Sequence, residues 1–169
     1  MILFAVFAAA NCLIPLVSGA VVFPYVEPPC EFCAGHRTID FEQSLGREVI
    51  TPVAGRITFA GTVVDQQFVT IDPDLKSGFG PEVLVTIGGL IRDPQVTSGQ
   101  VVQAGQRLGT SDGLIHLSMR YIVVGKPARY IDPTPFLARR RSRVRLIPNS
   151  RIGGRHTQSQ LRCPASFGR

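Results

Sequence analysis

Helical periodicity is what this sequence of 169 residues lacks most clearly, since no apolar pattern of helical spacing runs through residues 47–137. The chain contains instead 17 glycines and 13 prolines, which favour turns between short strands over long helices. Its length allows one domain with a moderate core plus terminal segments. The sequence therefore predicts a single all-β domain.

Short β-type runs separated by glycines occupy this central region at the spacing of antiparallel sandwiches and barrels. They cover residues 48–53, 56–60, 68–71, 82–87, 101–103 and 115–121. Residues 49–57 and 96–109 have the glycine spacing of tight hairpins with aliphatic side chains between the turns. We expect an antiparallel β sandwich or barrel-sandwich hybrid over residues 33–137, with an N-terminal apolar helix and a disordered basic C-terminal tail.

Acidic residues are absent after Leu137, and this absence locates the positive charge of the chain. Nine of the 18 basic residues follow Leu137, whereas nine basic and 12 acidic residues precede it, so the net charge of +6 belongs to the tail. The folded part has no excess of positive charge to attract phosphates, which argues against nucleic acid as a partner. Residues 138–169 are expected to be disordered, or to adhere to anionic envelope polymers or lipid head groups.

Charged residues are also missing from residues 1–23, an apolar run broken only by Asn11, Pro15 and Ser18. The small residues at 18–20 suit signal peptidase, and about 20 apolar residues can span a bilayer as a helix. We therefore predict a signal peptide or membrane anchor at 1–20, a proline-rich linker at 21–32, and a secreted or membrane-anchored, extracytoplasmic protein. A buried helix in a protein core is the alternative for the apolar run.

Cysteine is scarce, with four residues, and Cys12 would leave with a cleaved leader. In an oxidising compartment Cys30 and Cys33 could form a local disulfide, or one of them could pair with Cys163. A metal knuckle with His36 and a redox-active pair are the other interpretations of the two close cysteines.

Only three histidines are present, and two of them stand in patterns that suit a metal site. His36 precedes Asp40 by four residues, and His116 precedes Ser118 by two in a predicted strand. Residues i and i+2 of a strand share a face, so the side chains of His116 and Ser118 are expected to point into one cleft.

From about Cys33 to Leu137 the order of these parts resembles that of the lysostaphin/LytM-type zinc metallopeptidases, which have the duplicated hybrid motif and cleave peptidoglycan. The family pattern consists of a His-x-Gly-x-Asp motif, a Val-x-x-Pro-x-x-Gly hairpin, a Tyr-x-His-Leu strand, a second glycine hairpin, a His-x-His strand and a closing Asp-Pro. The matching stretches here are residues 36–40, 49–55, 86–90, 96–109, 116–118 and 132–133.

The resemblance implies that His36 and Asp40 match two zinc ligands and that His116 matches one catalytic histidine. Ser118 stands at the position of the third ligand, Thr38 replaces the glycine of the first motif, and Gly88-Gly89 lies where the other catalytic histidine is expected. A catalytic zinc ion normally has three protein ligands and one open position for water, and a neutral hydroxyl is a poor ligand. We therefore expect weak zinc binding or none, and a vestigial role for His116.

Together these observations predict an exported cell-envelope protein with a degenerate peptidase-like domain, which binds peptidoglycan or an envelope protein or regulates hydrolysis. The alternative is an active zinc endopeptidase of peptidoglycan, with a third ligand from Cys30, Cys33 or His156. A carrier domain modified on Lys76 or Lys126 is a more remote interpretation, because neither lysine is expected in the exposed hairpin turn that such domains use.

Overall fold

The computed structural model describes residues 11–30, 32–141 and 160–163. Nine strands in these ranges form one antiparallel sheet, and two more form a separate two-stranded ladder. The strands are β1 (Val21–Phe23), β2 (Ile39–Glu42), β3 (Glu48–Ile50), β4 (Gly55–Val63), β5 (Gln66–Pro73), β6 (Val83–Arg92), β7 (Val101–Val102), β8 (Arg107–Tyr121), β9 (Arg129–Ile131), β10 (Arg139–Arg141) and β11 (Gln160–Arg162). Two single 3-10 turns lie at Leu75–Ser77 and Thr134–Phe136.

The sheet is organised around β8, which is 15 residues long. The strand order is β1-β2-β8-β6-β5-β4-β7, and β3 and β9 also pair with β8. Each of the six β-type runs in the sequence overlaps one of these strands, which confirms the all-β prediction. The chain thus places residues from the middle of β8 between β2 on one side and β6 on the other.

Alternation along β6 and β8 separates the core from the opposite face of the sheet. Every second side chain, Val83, Val85 and Ile87 on β6 and Ile115, Leu117 and Met119 on β8, is at most 6% exposed. Burial of each such side chain contributes about 1.5–3 kcal/mol. The intervening residues, which include His116 and Ser118, are therefore held on the other face by a rigid apolar layer.

The segment 11–20, where a helical leader or anchor was expected, is part of the folded domain and contains no helix. Leu13 and Leu16 are 0% and 1% exposed. The Leu13 amide donates to the Phe136 carbonyl at 2.7 Å, and the Ala138 amide donates to the Leu13 carbonyl at 2.7 Å. A continuous apolar run has the same appearance whether it enters a membrane or a core, and here the neighbouring backbone supplies its hydrogen bonds.

Residues 1–10 of the predicted leader lie outside the described part of the chain. Among the residues that the structure describes, no helix has the length and apolar character needed to cross a bilayer.

The predicted linker at 21–32 begins as an edge strand of the sheet. β1 pairs antiparallel with β2, and the Val26 and His36 backbones exchange two hydrogen bonds of 2.9 Å. The pairing has a simple physical reason, since the extended backbone that proline favours also suits strand pairing wherever the amide groups are free to bond. The segment therefore packs beside His36 and does not act as a free spacer.

The basic tail also differs from the prediction of disorder, as far as the structure describes it. Ala138 is buried, β10 pairs with β11, and Cys163 forms a disulfide with Cys12. Residues 142–159 and 164–169 lie outside the described ranges. The disulfide ties the end of the chain to the N-terminal segment, a constraint that composition alone does not reveal.

Candidate active site

Strand pairing brings the predicted site residues together on one face of the sheet. Asp40 on β2 lies opposite His116 on β8, and on the other side of β8 the residues His116 and Ser118 lie opposite Gly88 and Thr86 of β6. His36 precedes β2 and contacts Asp40 directly. The surface over β2, β8, β6 and β5, which we call the cleft, contains all the residues that the sequence analysis selected at 36, 40, 116 and 118.

His36 is oriented by hydrogen bonds to both of its ring nitrogens. Nδ1 lies 2.7 Å from the Pro24 carbonyl, which can only accept, so Nδ1 carries a proton. Nε2 faces Oδ2 of Asp40 at 3.0 Å. With a proton on Nδ1, a neutral imidazole has its lone pair on Nε2, so this nitrogen and the carboxylate oxygen can both face one cation. His36 and Asp40 thus have the arrangement of two ligands that share a cation.

Thr38 adds a hydroxyl group to this pair, and sequence reasoning had noted only that it replaces a glycine. Its Oγ1 donates to Oδ1 of Asp40 at 2.6 Å and lies 3.0 Å from Nε2 of His36. Its position two residues before Asp40, on the same face, is the sequence signal from which this role could have been inferred. The hydroxyl group occupies space beside both predicted ligands.

His116 is held by the second oxygen of the same carboxylate. Its Nδ1 donates to Oδ1 of Asp40 at 2.8 Å, and 20% of its side chain remains exposed. The contact fixes the ring orientation, so Nε2 is the nitrogen that remains for a ligand in the cleft. His116 is therefore a positioned polar group beside the predicted ligands.

Asp40 is the buried centre of these contacts and is only 4% exposed. Burial by itself raises the pKa of the Asp40 carboxyl, but the hydrogen bonds from Thr38 and His116 and the two neighbouring imidazoles outweigh it. The net pKa of Asp40 lies below its ordinary value of 3.8. Asp40 is consequently ionised at neutral pH and accepts from several donors at once.

The side chains present do not fit a tightly held zinc ion. Ser118 offers a neutral hydroxyl where the third ligand is expected, and within residues 11–30, 32–141 and 160–163 no three His, Cys, Asp or Glu side chains are placed to hold a metal. Cys30 and Cys33 are bonded to each other, so neither thiolate can serve as a ligand. His156, the other proposed source, lies outside the described residues.

Gly88 and Gly89, where the family pattern has its other catalytic histidine, are too closely surrounded to take a side chain unless their neighbours move. A Cβ on Gly88 would come within 2.4 Å of Cε1 of Phe68. Gly89 has a φ of 75°, and a Cβ there would come within 1.9 Å of the Leu114 carbonyl oxygen. The Phe68 ring on β5 thus covers the position, a feature that the sequence analysis did not identify.

Hydroxyl groups continue from Ser118 across the sheet. Ser118 lies opposite Thr86, Thr86 lies opposite Thr70, and the Oγ1 atoms of the two threonines are 3.0 Å apart. Hydroxyl groups both donate and accept, so this row can match the backbone groups of an extended ligand. The cleft therefore offers an ionised Asp40, two imidazoles and a row of neutral hydroxyls.

The fold is that of the lysostaphin/LytM-type peptidases, as comparison with solved structures shows. The catalytic domain of the antimicrobial peptidase lysostaphin from Staphylococcus simulans aligns with a TM-score of 0.54 and 20% identity, over 70% of this chain and 91% of that one. The prophage-encoded M23 protein EnpA from Enterococcus faecalis, crystallised as a catalytic-domain mutant, aligns with a TM-score of 0.53 and 17% identity, over 69% of this chain and 90% of that one.

A longer alignment is obtained with Csd3 from Helicobacter pylori, with a TM-score of 0.60 and 17% identity over 83% of this chain. The present chain spans 39% of that protein and 62% of the lysostaphin chain whose structure was determined in solution. No protein-family model and no curated protein sequence matches the chain.

Proposed function

We propose that this chain, which has the fold of the lysostaphin-type peptidases, is a non-hydrolytic module of the cell envelope that binds peptidoglycan peptides in the cleft. The observation that supports the proposal is that two positions of the family pattern have other residues on one face. Ser118 stands where the third metal ligand is expected, and Gly88-Gly89, of which Gly88 lies against the Phe68 ring, stands where the second catalytic histidine is expected.

The two losses act on different parts of peptide hydrolysis. Without a third strong ligand a zinc ion is held weakly, and its water does not approach the pKa of about 7 that a bound nucleophile needs. Without the second histidine a donor to the developing oxyanion is missing, which alone can lower the rate by about 10²–10³-fold. Restoring either group by itself therefore leaves hydrolysis impaired.

The cleft retains groups that bind peptide. Ser118, Thr86 and Thr70 offer hydroxyls in a row, and Asp40 and His116 provide a charged group and an imidazole at its end. The resemblance of the motifs to peptidoglycan peptidases supports a wall peptide as the ligand.

An oxidising, extracytoplasmic location is part of the proposal. All four cysteines are paired, as Cys12–Cys163 and Cys30–Cys33, and such bonds persist outside the reducing cytosol. We propose export with residues 11–20 retained, since cleavage after Ala20 would remove two buried leucines from the core.

Binding to purified peptidoglycan tests the proposal. We expect saturable uptake of the full chain in about 1 M salt, where charges are screened beyond about 3 Å and adhesion of the basic tail is suppressed. Thr86→Val should weaken uptake about threefold, because one hydrogen bond contributes about 0.5–1.5 kcal/mol. Thr62→Val, an exposed change on β4, is the matched control and should bind as the wild type does.

Two results would contradict the proposal. The absence of saturable uptake would remove the binding function, and the release of soluble wall fragments by the wild-type chain would show hydrolysis.

An active zinc endopeptidase is the second candidate, and the arrangement of His36 and Asp40 around a common point favours it. It requires a third ligand, and His156 is the remaining histidine of the chain. Zinc content after chelation and re-addition of micromolar zinc tests this candidate in wild type and His156→Ala. Fewer than about 0.1 zinc ions per wild-type chain would eliminate it.

A further inference from the structure

A concave site whose lining does not include residues 36, 40, 116 or 118 lies between the segment from Tyr25 to Cys30, with Phe32, and the turn that joins β8 to β9. Its volume is about 930 Å³. All three tyrosines of the chain, Tyr25, Tyr121 and Tyr130, line it, and the chain has no tryptophan. Tyrosine combines a large apolar ring with a polar hydroxyl and is enriched where proteins bind ligands. We call this site the tyrosine cavity.

Basic residues outnumber acidic ones around the tyrosine cavity. Among the described residues that line it, three are basic, Arg37, Lys126 and Arg129, and one is acidic, Glu27, whose carboxylate lies 3.3 Å from the Arg129 guanidinium. Guanidinium and ammonium groups form strong, charge-assisted hydrogen bonds with carboxylates. The lining is therefore complementary to a ligand with negative charge.

The side chains that form the cavity are held in place from several directions. The Arg37 guanidinium lies 5.8 Å from the centre of the Tyr130 ring, and its Nη2 donates to the Cys33 carbonyl at 3.3 Å. The disulfide between Cys30 and Cys33 closes the loop that forms one wall. A site whose arginine is already oriented loses less entropy when a ligand binds.

β9 supplies a strand edge beside this cavity. In the described part of the chain β9 pairs with β8 alone, and the Tyr25 hydroxyl donates to the Tyr130 carbonyl at 3.3 Å. An extended peptide can add to such an edge through its backbone, while neighbouring pockets select its side chains. A saccharide has no equivalent backbone pattern, so the strand edge favours a peptide.

We propose that the tyrosine cavity binds a short, extended peptide that carries free carboxylate groups. The size suits such a ligand, because small-molecule sites commonly occupy about 300–1,000 Å³. The source of the peptide rests on the proposed function, in which wall peptides are the natural ligands. Lys126 and Arg129 contact its carboxylates, and the tyrosine rings pack against its aliphatic side chains.

The absence of tryptophan makes intrinsic tyrosine fluorescence a local reporter of this cavity. The probe is the pentapeptide Ala-Glu-Ala-Glu-Ala with a free carboxyl terminus, titrated into the full, oxidised chain. We expect a saturable change in fluorescence. The same peptide with glutamine in place of glutamate and an amidated terminus should bind at least about tenfold more weakly, which corresponds to about 1.4 kcal/mol.

The two lysines of the chain provide matched variants. Lys126→Glu reverses a charge at the cavity and should weaken binding of the acidic peptide about fivefold or more. Lys76→Glu makes the same change in an exposed 3-10 turn away from the cavity and should leave binding within about twofold.

Each other result overturns the proposal. Equal effects of the two lysine variants would place the peptide elsewhere, and tighter binding of an oligoglucuronate than of the pentapeptide would make the ligand a saccharide. If the pentapeptide does not bind while intact peptidoglycan still takes up the chain, the tyrosine cavity is excluded and the proposed function remains.

Discussion

Asp40 accepts hydrogen bonds from Thr38 and His116 and contacts His36, so one buried carboxylate positions all three of these side chains. Its neighbours differ from the residues that the family pattern has at the same positions, since Ser118 stands where the third ligand is expected. The groups around it are sufficient to orient a ligand or a weakly bound cation, whereas Ser118 adds neither charge nor a strong metal donor. Under the proposed function we expect the carboxylate to contribute chiefly to stability and to the orientation of a ligand.

Asp40→Asn should lower the free energy of unfolding at pH 7 by about 1–3 kcal/mol, because buried donors lose their charged acceptor. Since the pKa of Asp40 is lower in the folded state than in the unfolded state, its contribution is present above about pH 3.9 and is lost as the pH falls through the folded-state value. Urea denaturation at several pH values measures this. The difference in unfolding free energy between Asp40→Asn and wild type should become smaller at acidic pH.

Asp65→Asn, in the exposed turn between β4 and β5, is the control and should change stability by less than about 0.5 kcal/mol. A difference between Asp40→Asn and wild type that stays constant from pH 7 into acid would contradict the role given to the carboxylate.

Ser118→His should create a zinc site with His36 and Asp40, because imidazole is a strong neutral ligand. We expect the zinc content to rise from below about 0.1 to about one ion per chain, as measured after dialysis against micromolar zinc. Hydrolysis of peptidoglycan should remain slight, since Gly88 under the Phe68 ring still lacks the second histidine. Thr86→His, one strand further from Asp40, is the control for nonspecific binding by an added imidazole.

Full hydrolytic activity of Ser118→His would show that the Gly88 position is dispensable. An unchanged zinc content would show that His36 and Asp40 are not metal ligands.

At the scale of elements, the sequence predicted the second half of β8 but not the packing of the N-terminal segment. Aliphatic and polar residues alternate over residues 115–121, which is the pattern of a half-buried strand, whereas the first half of β8, from Arg107, lacks this pattern and was not predicted. The apolar run at 1–23 lacks such alternation, so its sequence suits a leader, an anchor or a buried segment equally. Long-range hydrogen bonds to Phe136 and Ala138 decide in favour of the core for residues 11–20.

Leu13→Ala should therefore lower the free energy of unfolding by about 2–5 kcal/mol, the usual cost of a cavity in a core. Leu45→Ala is the same substitution at a residue that is 73% exposed, and it should cost less than about 0.5 kcal/mol. Chemical denaturation of both variants and wild type measures these differences in unfolding free energy. Similar values for the two would mean that residues 11–20 are not packed as described.

At the scale of the whole molecule, a disulfide links Cys12 to Cys163, which are 151 residues apart. The bond connects the N-terminal segment to the end of the basic tail, so both predicted appendages are tied to the domain. Cross-links that close long loops restrict the unfolded chain most, on the entropic account of disulfide stabilisation.

Cys12→Ser with Cys163→Ser should consequently lower the free energy of unfolding by about 2–4 kcal/mol, measured by urea denaturation without reductant. Cys30→Ser with Cys33→Ser removes a bond between residues only three apart and should cost less. A larger loss of unfolding free energy on removal of Cys30–Cys33 than on removal of Cys12–Cys163 would contradict the stabilising role given to the long-range disulfide.

The sequence by itself determined the approximate positions of six strands of the central region and the candidate residues at 36, 40, 116 and 118, because alternation and local spacing are properties of adjacent residues. Only the tertiary structure decided that residues 11–20 enter the core, that Cys12 pairs with Cys163, that Phe68 covers Gly88 and that three tyrosines share one cavity. Each of these depends on strand register and chain closure between distant residues, and no local pattern in the sequence encodes such contacts.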